Sequence, residues 1–208
     1  MRVRSRFVRW VLAMVGVWCV HAGARAQPVD SARDAFRACD AQSFLALSIA
    51  RNYLMSDRNR GLVMPHVEGS EIGRAMAEEL FDRVERGEIR HPGQFAADTL
   101  FKCANDLKLR VGATREHAAV CFTRTDVAFL LLTERGKGSA RQKAVYDVSA
   151  KLKSRSLYPM AVINQVADAV YAPAQPPALQ PLMGAVAWGC INHPTGASAP
   201  AAPAAPVK

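Results

Sequence analysis

His117 and Cys121 form the strongest candidate pair for covalent chemistry in the sequence. They lie four positions apart in a segment with a helical pattern, so both side chains are expected on one face of a helix. A thiolate beside an imidazole is a nucleophile–base pair used in hydrolysis. That chemistry needs a reduced thiol, whereas the N-terminus predicts export to a compartment where cysteines pair as disulfides. We therefore predict no catalytic role for this pair.

Other motifs fail the tests for a nucleotide or metal site. The segment Gly136-Lys137-Gly138-Ser139 shares part of the composition of a phosphate-binding loop, but it lacks the required glycine at position 131 and the hydroxyl residue at position 138. The remaining histidines and the cysteines of the exported chain show no zinc-ligand spacing. The sequence predicts no catalytic, cofactor-binding or metal-binding residues.

The acidic residues of the first half also give no acid–base pair. Glu71, Glu78 and Glu85 recur every seven residues, which predicts one solvated helix face. No partner group singles out two carboxylates among these and the neighbouring glutamates, Glu68, Glu79 and Glu88.

A basic cluster is the most informative polar feature. Within 21 residues the chain has one acid, Asp147, and seven bases, namely Arg135, Lys137, Arg141, Lys143, Lys151, Lys153 and Arg155. One interpretation is a patch for an anionic partner, such as lipopolysaccharide or an acidic protein. The favoured interpretation is a solvated helix, because only one aromatic residue, Tyr146, interleaves with the bases, and a surface for single-stranded nucleic acid needs more.

The first 26 residues have the order of a secretory signal peptide. A segment with four arginines precedes an apolar run of 11 residues, Trp10 to Val20, and Ala24-Arg25-Ala26 follows as a cleavage box. A retained membrane anchor is the alternative, but a spanning helix needs about 20 apolar residues. We predict cleavage after Ala26 and a mature chain, periplasmic or secreted, without a membrane span.

Removal of this segment changes the charge and the cysteine count. The chain has 27 basic and 18 acidic residues, and five arginines leave with the signal, so the mature chain has a net charge of +4. That charge is ordinary and disfavours nucleic acid as a partner. Four cysteines remain, and an even number in an exported chain predicts two disulfides among Cys39, Cys103, Cys121 and Cys190.

The mature chain reads as one all-α domain, residues 27–193, with a disordered tail rich in proline and alanine at 194–208. Strand patterns are nearly absent, and apolar spacing predicts about seven helices. They begin near residues 30, 70, 92, 114, 139, 159 and 178. The apolar block Phe129–Leu132 favours the fourth as the central helix, and Ser139 with Gln142 has the spacing of a capping box.

The cysteine positions suggest two duplicated units, residues 30–110 and 114–191. Each would begin with a cysteine-bearing helix and close on a later one, which predicts the pairs Cys39–Cys103 and Cys121–Cys190. The alternative pairs Cys103 with Cys121 across a hairpin at Gly112, and Cys39 with Cys190. Both pairings stay open at this point.

Residues 121–190 resemble small exported helical proteins of proteobacteria that have no assigned function. The features are Cys121, the corner Arg135–Gly138, Val170-Tyr171, the proline-containing loop and the closing Cys190. The resemblance implies a helical fold with a disulfide that joins its ends.

These observations predict a periplasmic binding or interaction protein that works without a cofactor. Small helical proteins of this compartment act as chaperones or as immunity proteins, and the analogy is at the level of the fold only. An envelope protein or an anionic envelope component is the expected partner. The alternative is a hydrolase of envelope polymers, which a cleft with clustered buried carboxylates would favour.

Overall fold

The computed structural model describes residues 31–152 and 158–193, with side chains from Asp34 onward. The predicted signal peptide, the C-terminal tail, Lys153 and Arg155 lie outside these residues. The described residues from Ala35 onward belong to one compact unit. None of the described helices is long and apolar enough to cross a bilayer.

The described residues confirm the all-α fold, with helices and no strands. Seven helices occur where the spacing predicted them, and one short helix, α2, was not predicted. One turn of 3₁₀-helix, Met64–His66, follows α2. The α-helices are α1 (Ser31–Met55), α2 (Arg60–Val63), α3 (Glu71–Glu85), α4 (Pro92–Asp106), α5 (Arg115–Gly136), α6 (Arg141–Lys151), α7 (Met160–Tyr171) and α8 (Leu179–Asn192).

Local hydrogen bonds explain the helix starts that the sequence predicted well. The hydroxyl of Ser70 accepts a hydrogen bond from the backbone N–H of Gly73 and fixes the first turn of α3. The hydroxyl of Thr114 accepts from the backbone N–H of His117 and fixes the first turn of α5. Pro92 occupies the first turn of α4, where its missing N–H costs nothing.

The predicted capping box at Ser139 is wrong. The residue before α6 is Ala140, which makes no side-chain capping bond, and the helix begins at Arg141. The hydroxyl of Ser139 instead donates to the carboxylate of Glu134 at 3.5 Å. A carboxylate five residues earlier in the chain therefore replaces the partner that the spacing suggested.

Helix α5, the fourth of the predicted helices, is the centre of the unit, as its apolar block predicted. It packs against α4, α6, α7 and α8. Its closest neighbour is α4, where a Cβ atom on Gly93 would lie 2.3 Å from the carbonyl oxygen of Ala119. Only glycine lets the two backbones approach this closely.

The two disulfides are Cys39–Cys103 and Cys121–Cys190, so the predicted pairing is confirmed and the alternative is wrong. The Cα atoms in each pair are 5.5 Å apart, within the usual range for a disulfide. Cys39, Cys103 and Cys121 belong to a single cluster of buried residues to which Cys190 also packs. Helices of both predicted units thus contribute to this cluster, and the duplication itself stays a prediction.

Candidate functional site

A groove lies where α3 and α4 face each other beside the start of α5. Its volume is about 390 Å³, within the range of small-ligand pockets. The buried face of α3, which includes Ala77, Leu80 and Val84, packs into the core. The neighbouring stripe of the same helix, at positions 72, 76, 79 and 83, lines the groove, because these spacings return to one side of a helix.

The groove has an apolar part and a charged part. Ile72, which is 56% exposed, and Met76 form the apolar part with Ala75. Side chains of α4 and α5 join α3 to form the charged part, and they alternate in sign. Its charged residues are Glu79, Arg83, Asp98, Lys102, Asp106 and Arg115.

Arg83 is the centre of this charged part. It forms ion pairs with Glu79 at 3.5 Å and with Asp98, and its Nε donates to Glu88 at 3.2 Å. Burial by itself lowers the pKa of Arg83, but its interactions with Asp98, Glu88 and Glu79 together outweigh burial, and the pKa is raised. The guanidinium therefore stays charged.

Two of the three acidic partners of Arg83, Glu79 and Asp98, line the groove, and each has a second cation. Lys102 lies 3.4 Å from Glu79, and Arg115 lies 3.4 Å from Asp98. Each of these two carboxylates is thus contacted by two positive side chains. Such an arrangement can exchange ion pairs with a ligand that carries both signs of charge.

The glutamates that repeat every seven residues are exposed, as predicted. Glu71, Glu78 and Glu85 all face solvent. Glu78 and Glu85 contact Arg60, whose guanidinium also lies 4.8 Å from the centre of the Phe81 ring. They provide surface ion pairs and do not line the groove.

His117 and Cys121 do meet on one face of α5. The Nε2 atom of His117 lies 3.4 Å from the sulfur of Cys121 and 3.0 Å from the carbonyl oxygen of Cys190. The sulfur of Cys121 is bonded to that of Cys190, so the oxidised protein has no thiolate at this position. Cys190 lies 73 positions from His117 in the sequence, and its disulfide with Cys121 brings it beside the imidazole.

The described members of the basic cluster are all engaged by other groups. Lys137 and Lys151 bind the carboxylate of Glu134, and Lys143 binds Asp147 at 2.6 Å. Hydrogen bonds from Lys151 and then Lys137 lower the pKa of Glu134 to about 2. The sequence window missed Glu134 because this acid directly precedes Arg135.

The two arginines of the cluster connect helices. Arg141 pairs with Asp168 of α7 at 2.7 Å. Arg135 donates to the carbonyl oxygens of Val170 and Pro173, and its guanidinium lies 5.4 Å from the centre of the Tyr171 ring. Arg135 therefore fixes the loop after α7 against the end of α5.

The described residues also contain a buried ion pair that nothing in the sequence indicated. Nη1 of Arg51 on α1 donates to Oδ1 of Asp126 on α5 at 3.2 Å, and the guanidinium lies 3.7 Å from the centre of the Phe129 ring. Burial raises the pKa of Asp126 to about 6, despite the opposing charge of Arg51. The other oxygen, Oδ2, has no hydrogen-bond partner among the described residues.

No family model matches the chain, and neither a curated protein nor a solved structure matches it.

Proposed function

We propose that this protein is an exported binding protein that holds a partner in the groove between α3 and α4. The two disulfides support export, because such bonds persist in oxidising compartments. The observation that carries the proposal is the groove itself, where an exposed apolar edge at Ile72 adjoins paired charges of both signs.

The lining indicates the chemistry of the partner. A purely anionic ligand would be attracted by Lys102 and Arg115. It would also be repelled by Glu79 and Asp98, which lie beside these two cations. A polypeptide segment with apolar, acidic and basic side chains can contact Ile72 and also exchange partners within the ion pairs. We therefore propose a segment of an envelope protein with mixed charge as the ligand.

Hydrolysis of envelope polymers is the less supported alternative. A glycoside hydrolase needs one carboxylic acid held protonated at a fixed distance from a second carboxylate. In the groove, Glu79 and Asp98 each form ion pairs with two cations. That environment suits recognition of charge more than proton donation.

A photo-crosslinking side chain at position 72 of the full exported chain tests the proposal in the producing cell. We expect a discrete adduct with one envelope protein, and none from the same group at Tyr146, a residue of α6 that is 72% exposed. Equal adducts at both positions, or adducts only at Tyr146, would contradict a specific groove.

Two lysines provide a matched pair of charge reversals for the same assay. Lys102 is 68% exposed and pairs with one acid, and Lys143 is 66% exposed and also pairs with one acid. We expect Lys102→Glu to remove the adduct at position 72 and Lys143→Glu to leave it. The reverse pattern would assign binding to the basic cluster instead.

A further inference from the structure

Three metal-ligating side chains from distant parts of the sequence converge at the start of α5. One ligand atom from each of His117, Cys121 and Cys190 lies within 4.8 Å of the other two. We propose that reduction of the Cys121–Cys190 disulfide converts this group into a binding site for Zn²⁺ or a similar thiolate-seeking divalent metal. The site is independent of the groove and of the function proposed for it.

The distances fit tetrahedral zinc with a small movement. Bonds of about 2.3 Å to sulfur and about 2.0 Å to nitrogen place the nitrogen and sulfur ligands about 3.5 Å apart. His117 Nε2 and Cys121 Sγ are already 3.4 Å apart, on one face of α5. After the disulfide opens, the sulfur of Cys190 must move away from that of Cys121 to a position about 3.5 Å from the nitrogen of His117. Side-chain rotation on α5 and α8 provides that change.

The site has a route for the reductant and the metal. Cys121 is fully buried, whereas Cys190 and His117 are partly exposed at the end of α8 and the start of α5. A reducing dithiol can attack the sulfur of Cys190, and Cys121 then leaves as a thiolate next to the imidazole of His117. The second thiol of the reductant then attacks this mixed disulfide, closes the reductant's own disulfide and releases Cys190, so that both protein cysteines are reduced.

Metal uptake then balances in protons and in hydrogen bonds. The two cysteines lose their protons and bind as thiolates, so one divalent ion replaces two protons. In the oxidised protein, Nε2 of His117 donates to the carbonyl oxygen of Cys190 at 3.0 Å. This nitrogen can bind a metal only in the tautomer with the proton on Nδ1. The histidine thus exchanges a hydrogen bond for a metal bond, and solvent takes the fourth position.

The other disulfide provides an internal comparison. Within residues 31–152 and 158–193, the group at His117 is the one set of three such ligands that comes this close. Cys39 and Cys103 supply two sulfurs without a third ligand, so reduction of that disulfide leaves a poorer site.

The test uses Co²⁺ as a spectroscopic probe for the full mature chain. The protein is reduced with a dithiol, freed of the reductant without oxygen and titrated with Co²⁺ and then with Zn²⁺. We expect a thiolate-to-cobalt charge-transfer band and tetrahedral d–d bands, which Zn²⁺ abolishes. The oxidised protein should show neither. The affinity of the reduced protein for Co²⁺ should fall as the pH falls, because protons compete with the metal for the thiolates.

His117→Ala should weaken Co²⁺ binding at least about tenfold, the loss that even outer partners of a metal site can cause. The matched control is His66→Ala, which alters an exposed histidine outside the group. Both variants are folded with their disulfides intact, and circular dichroism before reduction verifies their helices.

Two double cysteine variants locate the site. Cys121→Ser with Cys190→Ser should abolish the charge-transfer band, and Cys39→Ser with Cys103→Ser should keep it. Should the latter variant fail to fold, the two histidine variants decide the question. The proposal is overturned if the reduced wild-type protein shows no band, if His117→Ala binds as tightly as His66→Ala, or if binding survives without Cys121 and Cys190.

Discussion

Asp126 and Glu134 lie about two turns apart on α5, and both carboxylates are covered by other residues, yet their pKa values move in opposite directions. The pKa of Asp126 is raised to about 6, and that of Glu134 is lowered to about 2. Little of either side chain is exposed, 1% for Asp126 and 6% for Glu134, but Asp126 is deeply buried whereas Glu134 lies just beneath the surface. Their depths and their hydrogen-bond partners separate the two acids.

The number of donors and the position of the positive partners explain the difference. Asp126 has one buried partner, Arg51, and an oxygen without a hydrogen bond among the described residues, so desolvation dominates. Glu134 accepts from Lys151 and Lys137, whose side chains are 43% and 59% exposed. A carboxylate beneath the surface therefore keeps a low pKa when its cations keep contact with solvent and donate directly to it.

The largest effect should come from removing the buried acid. Asp126→Ala leaves the guanidinium of Arg51 enclosed without its counter-charge, and loss of one partner from a buried pair costs about 3–5 kcal/mol. We expect the free energy of unfolding, measured with urea at pH 7 and with both disulfides intact, to fall by that amount.

The double variant Arg51→Met, Asp126→Leu is the control for this prediction. It removes both charges and keeps apolar volume, so its stability should return to within about 1 kcal/mol of wild type or exceed it. A double variant as unstable as Asp126→Ala would show that packing around α1 and α5, and not the unpaired charge, caused the loss.

The dependence of stability on pH should distinguish the two acids. The folded pKa of Asp126 lies above its unfolded value of 3.8, so the folded protein holds this proton more tightly. Its contribution to the free energy of unfolding is absent at pH 7, grows as the pH falls through about 6, and is complete near pH 4. The difference between a pKa of about 6 and one of 3.8 corresponds to roughly 3 kcal/mol.

The pKa of Glu134 is shifted in the opposite direction, so its effect on stability has the opposite dependence on pH. Its folded pKa lies below its ordinary value of 4.5, so its stabilising contribution is present above that pH and is lost as the pH falls toward about 2. We expect Asp126→Asn to remove the rise in stability between pH 6 and pH 4 in urea titrations. A variant that keeps the wild-type slope there would assign the slope to other groups.

The smallest effect should come from Glu134→Gln. The two lysines that bind this acid remain hydrated, and ion pairs with exposed partners contribute less than about 1 kcal/mol. We expect the loss in unfolding free energy to stay below that value and to shrink further when salt is raised from low concentration. A loss as large as that of Asp126→Ala would remove the distinction between the two acids.

Much of the helical framework could be predicted because its causes are local. Ser70, Thr114 and Pro92 signal helix starts through bonds made, or spared, within one turn. Helix α2 has four residues, so it is too short to show a hydrophobic period. Its first turn is held by the side chain of Asn59, which accepts a hydrogen bond from the N–H of Gly61. The same local reasoning misplaced Ser139, whose hydroxyl contacts Glu134.

The candidate sites depended much more on contacts between distant residues. The basic cluster was visible as a run in the sequence, but Asp168 lies on another helix, and its pairing with Arg141 could not be counted in a window. The groove combines positions of α3, α4 and α5 that share no motif. The ligand group at His117 needs Cys190, 73 positions away.

The sequence by itself determined the helical fold class and the main helices, because periodicity and caps act along the chain. The spacing of the cysteine-bearing helices favoured one of two pairings, and the structure decided between them. Only the tertiary structure decided which charges are enclosed, since Arg51 and Asp126 look like ordinary surface residues until α1 packs on α5. Packing sets the dielectric surroundings and the donors of each ionisable group. Those surroundings, and not residue type, separate Asp126 from Glu134.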